Sequence, residues 1–151
     1  MWVTKDYDYD TNKFLFVSYA YSDWERMFVR VSRFTDEGNA LTHEKIIIDK
    51  LPVAQYHAGC FIAFRPDGKL YITVGDVTEK NLVQTDSVNN GKILRLNTNG
   101  TFPEDNPIKS SPLRAKGLRN SHGLTWDDKG RLFAVDHGPS VFDGPPVRRR
   151  A

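Results

Sequence analysis

Short runs of β-branched and aromatic residues recur along the chain, and turn residues separate them. Such runs predict β-strands. Asp67-Gly68 and Asn99-Gly100 supply the positive φ angles that tight hairpin turns need. No stretch keeps an apolar period of 3.6 residues, so the pattern gives no ground for a helix and predicts an all-β fold. The predicted strands are 13–21, 27–35, 44–51, 60–65, 69–75, 91–100, 122–127 and 131–138.

An internal repeat refines this prediction. The stretch 62–76 matches 124–138 in register, an offset of 62 residues that pairs Gly68 with Gly130. A weaker echo lies at 11–17. Repeats of this length, each with several strands and a glycine turn, indicate the blades of a β-propeller. The alternative is that any two hairpins of an all-β domain resemble each other.

The chain length allows only part of a propeller ring. We place blades at about 10–52, 57–107 and 117–143, with a tail at 144–151, within a single partial domain spanning 1–151. Propellers close with about four to eight blades, so 151 residues hold about two to three of them. An open arc leaves strand edges uncovered, which predicts self-association or a partner chain.

Composition excludes several classes of protein and of site. With 39% hydrophobic and 26% charged residues, the chain fits a soluble globular protein. A net charge of +2, partly from Arg148 to Arg150, does not describe a nucleic-acid-binding face. The single cysteine, Cys60, excludes an intramolecular disulfide and a cysteine-cluster metal site. We find no apolar run long enough for a membrane span, and no signal peptide at the start.

Polar residues stand at equivalent ends of the predicted blades. Asp76 and His137 follow the repeated inner strand, while His57 and the pair Arg119-Asn120 precede the other strand of their blades. Because inner strands line the channel of a propeller, we expect these residues at one rim. An imidazole accepts a proton near neutral pH and a carboxylate can orient it, so His57 with Asp76 suits proton abstraction. Each residue alone more often has a structural role, as a turn residue or as a hydrogen-bonded side chain at the surface or in the core.

Three blocks, 57–76, 91–107 and 117–139, together resemble the glucose/sorbosone dehydrogenases, a family of soluble quinoproteins. The resemblance extends over about 10–139 and is to the middle of such a domain. It implies a six-bladed β-propeller with pyrroloquinoline quinone (PQQ) as cofactor and an aldose-type sugar as substrate. It also implies a periplasmic or secreted protein.

The resemblance implies catalytic roles for two residues. His57 matches the general base that takes the proton from the anomeric hydroxyl of the sugar while a hydride passes to the quinone. Asp76 matches the acid beside that histidine. The implied reaction is PQQ- and calcium-dependent oxidation of an aldose to its lactone, carried out by this chain or by a protein of which it is part.

Five further residues receive binding roles. Arg119 and Asn120 match a pair that hydrogen-bonds the quinone, and we place His137 with them as a cofactor-binding residue. The backbone carbonyls of Gly138 and Pro139 match those that hold the calcium ion. Carbonyl oxygens are ligands that calcium prefers, and the ion would make the quinone a better hydride acceptor.

The chain also departs from the family pattern. Cys60 stands where the family usually has a glycine, Ser121 replaces a proline, and the residues after Asp143 look unrelated. The resemblance also implies basic cofactor-clamping residues in later blades, which we expect this stretch to lack. Two alternatives therefore stay open beside the enzyme: a non-catalytic propeller that serves as a binding module, and an inactive truncated fragment.

Overall fold

The computed structural model describes residues 1–138, and in this part of the chain β-strands dominate. The all-β prediction is confirmed. Pro139 and the tail predicted at 144–151 lie outside the described residues. The elements are β1 (Trp2–Lys5), α1 (Tyr9–Asn12), β2 (Phe14–Ser22), β3 (Met27–Asp36), β4 (Leu41–Leu51), β5 (Ile62–Phe64), β6 (Leu70–Val74), β7 (Lys92–Leu96), β8 (Leu113–Lys116), β9 (Ser121–Trp126) and β10 (Leu132–Asp136).

The strands form three antiparallel sheets that follow one another along the chain. The first sheet has the order β1-β2-β3-β4, the second β5-β6-β7-β8, and the third consists of β9 and β10. Ile62 pairs with Ile72 in the second sheet, and Leu124 pairs with Ala134 in the third. Both residues of the second pair lie 62 positions after those of the first, so the sequence repeat is also a repeat of pairing register.

Two sheets extend beyond the predicted blade boundaries. The first begins at Trp2 rather than near residue 10, because the exposed strand β1 pairs with β2 and lacks an apolar alternation that would reveal it. The second ends at Lys116 rather than near 107, because the short strand β8 adds to β7. Helix α1 is a single turn and is too short to show a period.

The hydrophobic core lies between the first and second sheets. Phe16 on β2 and Phe64 on β5 meet edge to face, with ring centroids 5.0 Å apart. Tyr71 on β6 makes a similar contact, also at 5.0 Å, with Trp126 on β9. The buried cluster comprises Phe16, Val29, Val31, Ile47, Leu51, Cys60, Ile62, Leu70, Ile72, Val74, Leu94 and Leu96.

Buried hydroxyl groups also join successive sheets. The Ser18 hydroxyl donates to the Cys60 carbonyl at 2.9 Å, and the Thr73 hydroxyl donates to the Ser121 carbonyl at 2.7 Å. Each hydroxyl also accepts a backbone N–H from the segment that begins its own sheet. These bonds satisfy polar groups that burial would otherwise leave unpaired, and they fix the segments that carry the candidate site.

Candidate functional site

His57 and Asp76 form a hydrogen-bonded pair. His57 lies in the loop between β4 and β5, and Asp76 is a buried residue two positions after β6. The distance from His57 Nδ1 to Asp76 Oδ1 is 2.8 Å. Because a carboxylate only accepts, Nδ1 carries the hydrogen, and in the neutral imidazole Nε2 then has a lone pair for another partner. The Thr78 N–H donates to the same carboxylate oxygen at 2.9 Å and fixes its direction.

Gly75 allows the two segments to approach each other. A Cβ atom at this position would lie 1.7 Å from the His57 carbonyl oxygen, so only glycine fits there. The Gly75 N–H donates to the Gly59 carbonyl at 3.1 Å, and the Val77 N–H donates to the His57 carbonyl at 3.3 Å. The backbone from His57 to Gly59 is therefore tied to the end of β6.

Three non-glycine residues with a left-handed backbone lie at or next to the pair. His57, Val77 and Thr78 have φ angles of 56°, 47° and 69°, in the left-handed region that β-branched residues rarely adopt. Each such residue costs on the order of 1–3 kcal/mol and persists only where its surroundings hold it. Strain of this kind is typical of functional sites, which supports the assignment of this region as the site.

The segment 119–120, between β8 and β9, ties the third sheet to the pair. The Arg119 carbonyl accepts the Asp76 N–H at 2.7 Å. The side-chain oxygen of Asn120 accepts the Gly59 N–H at 3.1 Å. Asp76 and the loop that carries His57 are thus both connected to the start of the third sheet.

The Arg119 guanidinium lies at the end of β10. Its Nη1 donates to the carbonyls of His137 and Gly138, each at 3.2 Å. The His137 N–H in turn donates to the Asn120 carbonyl at 3.1 Å. These bonds bring the two predicted rim segments, one before β9 and one after β10, side by side.

One cavity collects most of the predicted site residues. It has a volume of about 730 Å³ and opens where the three sheets meet. His57, Arg119, Asn120 and His137 line it, while Asp76 supports His57 from behind the wall. The structure therefore brings the predicted rim residues together, Gly138 included through Arg119. Pro139 lies outside the described residues.

Three further residues at this site were not predicted from the sequence. Tyr56 and His122 line the cavity, and the Asp136 carboxylate binds the backbone of the segment 119–120. Tyr56 directly precedes His57, and His122 lies two positions after Asn120. Asp136 is an acid at the end of a repeated inner strand, next to His137, and this position was the signal that could have revealed it.

Two buried groups near the site have shifted pKa values. Burial raises the pKa of the Cys60 thiol to about 12, so this thiol is not a nucleophile at neutral pH. Burial also lowers the pKa of Lys92, whose ammonium group donates to the Val83 carbonyl at 3.0 Å. Lys92 thereby holds the loop that follows Asp76.

The predicted calcium ligands are backbone carbonyls, and one of the two residues, Pro139, lies outside the described part of the chain. Within 1–138, no group of three or more His, Cys, Asp or Glu side chains is arranged to hold a metal ion. Calcium also accepts carbonyl ligands, and the Gly138 carbonyl accepts the Arg119 guanidinium at 3.2 Å. In the same part of the chain, no helix is long and apolar enough to cross a membrane.

Comparisons with known proteins agree with this architecture. A PQQ-bound aldose sugar dehydrogenase from Streptomyces coelicolor superposes with a TM-score of 0.84 at 30% identity, covering 91% of this chain and 41% of that one. Quinoprotein glucose dehydrogenase B from Acinetobacter calcoaceticus is 28% identical over 75% of this chain. An aldose sugar dehydrogenase from Escherichia coli is 29% identical over 76%.

The matches span only part of these relatives. The alignments cover 29% of the Acinetobacter protein and 33% of the Escherichia coli protein. The fold of the described residues is that of part of a propeller-type sugar dehydrogenase. The family model for glucose/sorbosone dehydrogenase matches residues 1–144, and the chain therefore belongs to the glucose/sorbosone dehydrogenase family.

Proposed function

We propose that the cavity between the sheets binds PQQ and that His57 removes a proton from an aldose there, in the oxidation of the sugar to its lactone. One observation carries the proposal. His57 turns Nδ1 toward Asp76 at 2.8 Å and lines the same cavity as Arg119 and Asn120. A base held by a carboxylate thus adjoins cationic and amide groups that suit a ligand rich in oxygens.

The cavity and its polar groups fit such a cofactor. Its volume of about 730 Å³ lies within the usual range for pockets that enclose a small organic ligand. The Arg119 guanidinium can bind carboxylate or quinone oxygens, and Asn120 lies beside it at the cavity wall. His137 lines the same wall and is proposed as a third cofactor contact.

The chain's own residues perform the proton step. When bound, PQQ supplies the acceptor for the hydride and its two electrons. His57 Nε2 takes the proton from the anomeric hydroxyl, and Asp76 stabilises the imidazolium that forms through the bond to Nδ1. The hydrogen bonds from Thr78 and to Arg119 keep Asp76 in place during this transfer.

Several expectations from the sequence remain part of this proposal. The calcium requirement, assigned to Gly138 and Pro139, stays a prediction, and no step above depends on it. Periplasmic or secreted localisation and self-association through the open sheet edges also stay predictions. Because the chain spans about a third of its curated relatives, turnover by this chain itself is proposed and not established.

The first test measures cofactor binding and turnover separately. Tryptophan fluorescence and thermal shift are followed during titration with PQQ, once with calcium and once with EDTA, and reduction of a dye is followed with glucose as the aldose. We expect PQQ to bind and raise the melting temperature. Replacing His57 with Asn should leave the PQQ Kd within about twofold and lower turnover by about a hundredfold or more.

His43→Asn is the matched control, because His43 is an exposed histidine on β4 of the first sheet, and it should change neither quantity. Absence of PQQ binding would exclude the cofactor site. PQQ binding without turnover by the unaltered chain would favour the binding-module alternative. Equal turnover by the unaltered chain and His57→Asn would remove His57 from the role of base.

A further inference from the structure

Asp136 stands at an irregularity in the third sheet. Val135 pairs with Gly123, but the next residue, Asp136, pairs with Ser121, so His122 is an extra residue on β9. A β-bulge of this kind bends a strand and redirects neighbouring side chains, and bulges are frequent beside functional sites. Here His122 lines the cavity, and the Asp136 carboxylate turns back toward the start of β9.

The Asp136 carboxylate gathers three hydrogen-bond donors from successive residues. Its Oδ1 accepts the Asn120 N–H at 2.9 Å and the Ser121 hydroxyl at 3.0 Å. The Arg119 N–H lies 3.2 Å from each of the two carboxylate oxygens. Bonds to a charged acceptor are stronger than those to a neutral one, so this contact sets the direction of the backbone at 119–121.

That backbone supports the other side of the cavity. The Arg119 carbonyl accepts the Asp76 N–H at 2.7 Å, and the Asn120 side chain accepts the Gly59 N–H at 3.1 Å. The loop that carries His57 and the residue that orients its ring are both held by a segment that Asp136 anchors. No hydrogen bond described for Asp136 reaches the His57 loop or Asp76 directly.

We propose that Asp136 is a positioning residue of the cavity: its carboxylate holds Arg119 and Asn120 toward the cofactor and, through them, keeps Asp76 and the His57 loop in register. The part that concerns the cofactor rests on the proposed function. The part that concerns the His57 loop does not. The competing explanation is that Asp136 only stabilises the β9–β10 hairpin.

The test uses a matched carboxylate in the same hairpin. Asp127 accepts the Lys129 N–H at 3.0 Å and the Arg131 N–H at 2.8 Å, at the turn far from the cavity. Asp127→Ala therefore weakens the hairpin without touching the cavity. Asp136→Ala is compared with it, and Asp136→Asn keeps the shape and one acceptor oxygen should the alanine variant fail to fold.

The first readout is hydrogen exchange of single backbone amides, measured by NMR without any ligand. Asp136→Ala should speed exchange of the Gly59 and Asp76 amides about tenfold or more, although no hydrogen bond described for Asp136 reaches either residue. Asp127→Ala should leave both rates within about twofold. Asp136→Asn should have a smaller effect than Asp136→Ala, because Oδ1 still accepts from Asn120.

The second readout is the PQQ Kd. It should rise about tenfold or more in Asp136→Ala, because residues that orient the direct contacts of a ligand affect its affinity. It should stay within about twofold in Asp127→Ala. Unchanged exchange at Gly59 and Asp76 in both Asp136 variants would overturn the proposal, as would equal effects of Asp127→Ala and Asp136→Ala. If the unaltered chain does not bind PQQ, the proposed function fails, while the exchange rates still decide the role of Asp136.

Discussion

The second and third sheets share one sequence pattern and one pairing register, yet their equivalent side chains lie in different surroundings. Tyr71 and Thr73 on β6 are 2% and 0% exposed. Their repeat partners on β10, Phe133 and Val135, are 51% and 73% exposed. The pattern therefore determines strands and turns in both places, whereas burial depends on which sheets lie alongside.

This difference in burial matters because the candidate site includes residues from both sheets. His57 and Asp76 belong to the well-packed second sheet and its approach loop, while Arg119 and Asn120 belong to the start of the third. The proposed base is held by a buried framework, and the proposed cofactor contacts are held mainly by hydrogen bonds at the junction. Predictions that compare equivalent positions in the two sheets test this interpretation directly.

The largest contrast is expected for the aromatic pair at equivalent positions. Tyr71→Ala removes a fully buried ring that packs on Trp126, and it should lower the free energy of unfolding by about 3–5 kcal/mol. Phe133→Ala removes a half-exposed ring and should cost less than about 1 kcal/mol. Urea denaturation of both variants measures the difference. Similar losses would show that the third sheet is as tightly packed as the second.

A second contrast compares the starts of the two sheets, where Cys60 is buried and its repeat partner His122 is exposed. Burial raises the pKa of the Cys60 thiol from 9.0 to about 12. The unfolded chain therefore releases this proton at lower pH than the folded chain. Stability from the neutral thiol is complete below pH 9 and is lost as pH rises toward 12, by up to about 1.4 kcal/mol per pH unit.

Urea denaturation at pH 8 to 11 tests this prediction. By about pH 11, the unaltered chain should have lost about 2–3 kcal/mol more than Cys60→Ala, relative to their values at pH 8. Tyrosines and lysines titrate in both proteins, so their contributions cancel in the comparison. Parallel profiles would mean that the thiol reaches solvent through the cavity.

Much of the fold could be predicted from local sequence. The repeat places β6 and β10 at matching positions, and the Asp67-Gly68 turn is where the pattern puts it. The pairing of His57 with Asp76 was expected from their places at the blade rim and from the family resemblance, and the structure puts their side chains at 2.8 Å. Periodicity and turn chemistry act over a few residues, so such features are legible in a single sequence.

The remaining features depend on contacts between distant segments. Glycine is required at position 75 because a Cβ there would clash with the His57 backbone. Nothing near Gly75 in the sequence reveals this contact. The bulge at His122 shifts the register of β9 and turns Asp136 toward 119–121, which an ungapped repeat cannot show. Strand β1 is recognisable only through its partner β2, since its own residues are mostly exposed.

The smallest contrast concerns the two turn glycines, Gly68 and Gly130. They have φ angles of 72° and 75°, so replacing either with Ala forces an L side chain into the left-handed region at about 1 kcal/mol. A Cβ at Gly68 meets no atom within 4 Å, whereas one at Gly130 would lie 2.2 Å from Nη2 of Arg65 in the second sheet. Gly130→Ala must therefore also displace this guanidinium, whose Nη1 binds Asp67 at 2.9 Å.

Because Arg65 is a flexible and partly exposed side chain, the extra cost should be below about 1 kcal/mol. Urea denaturation of both glycine variants, in the unaltered and the Arg65→Ala backgrounds, isolates the free-energy cost of displacing Arg65. Gly130→Ala should be the more destabilising in the first background, and the two variants should be equal in the second. If the excess persists without Arg65, the two turns differ in backbone strain, and the repeat does not extend to the conformation of its turns. If it disappears, the turns are equivalent, and the two sheets differ there only in the neighbour that each one meets.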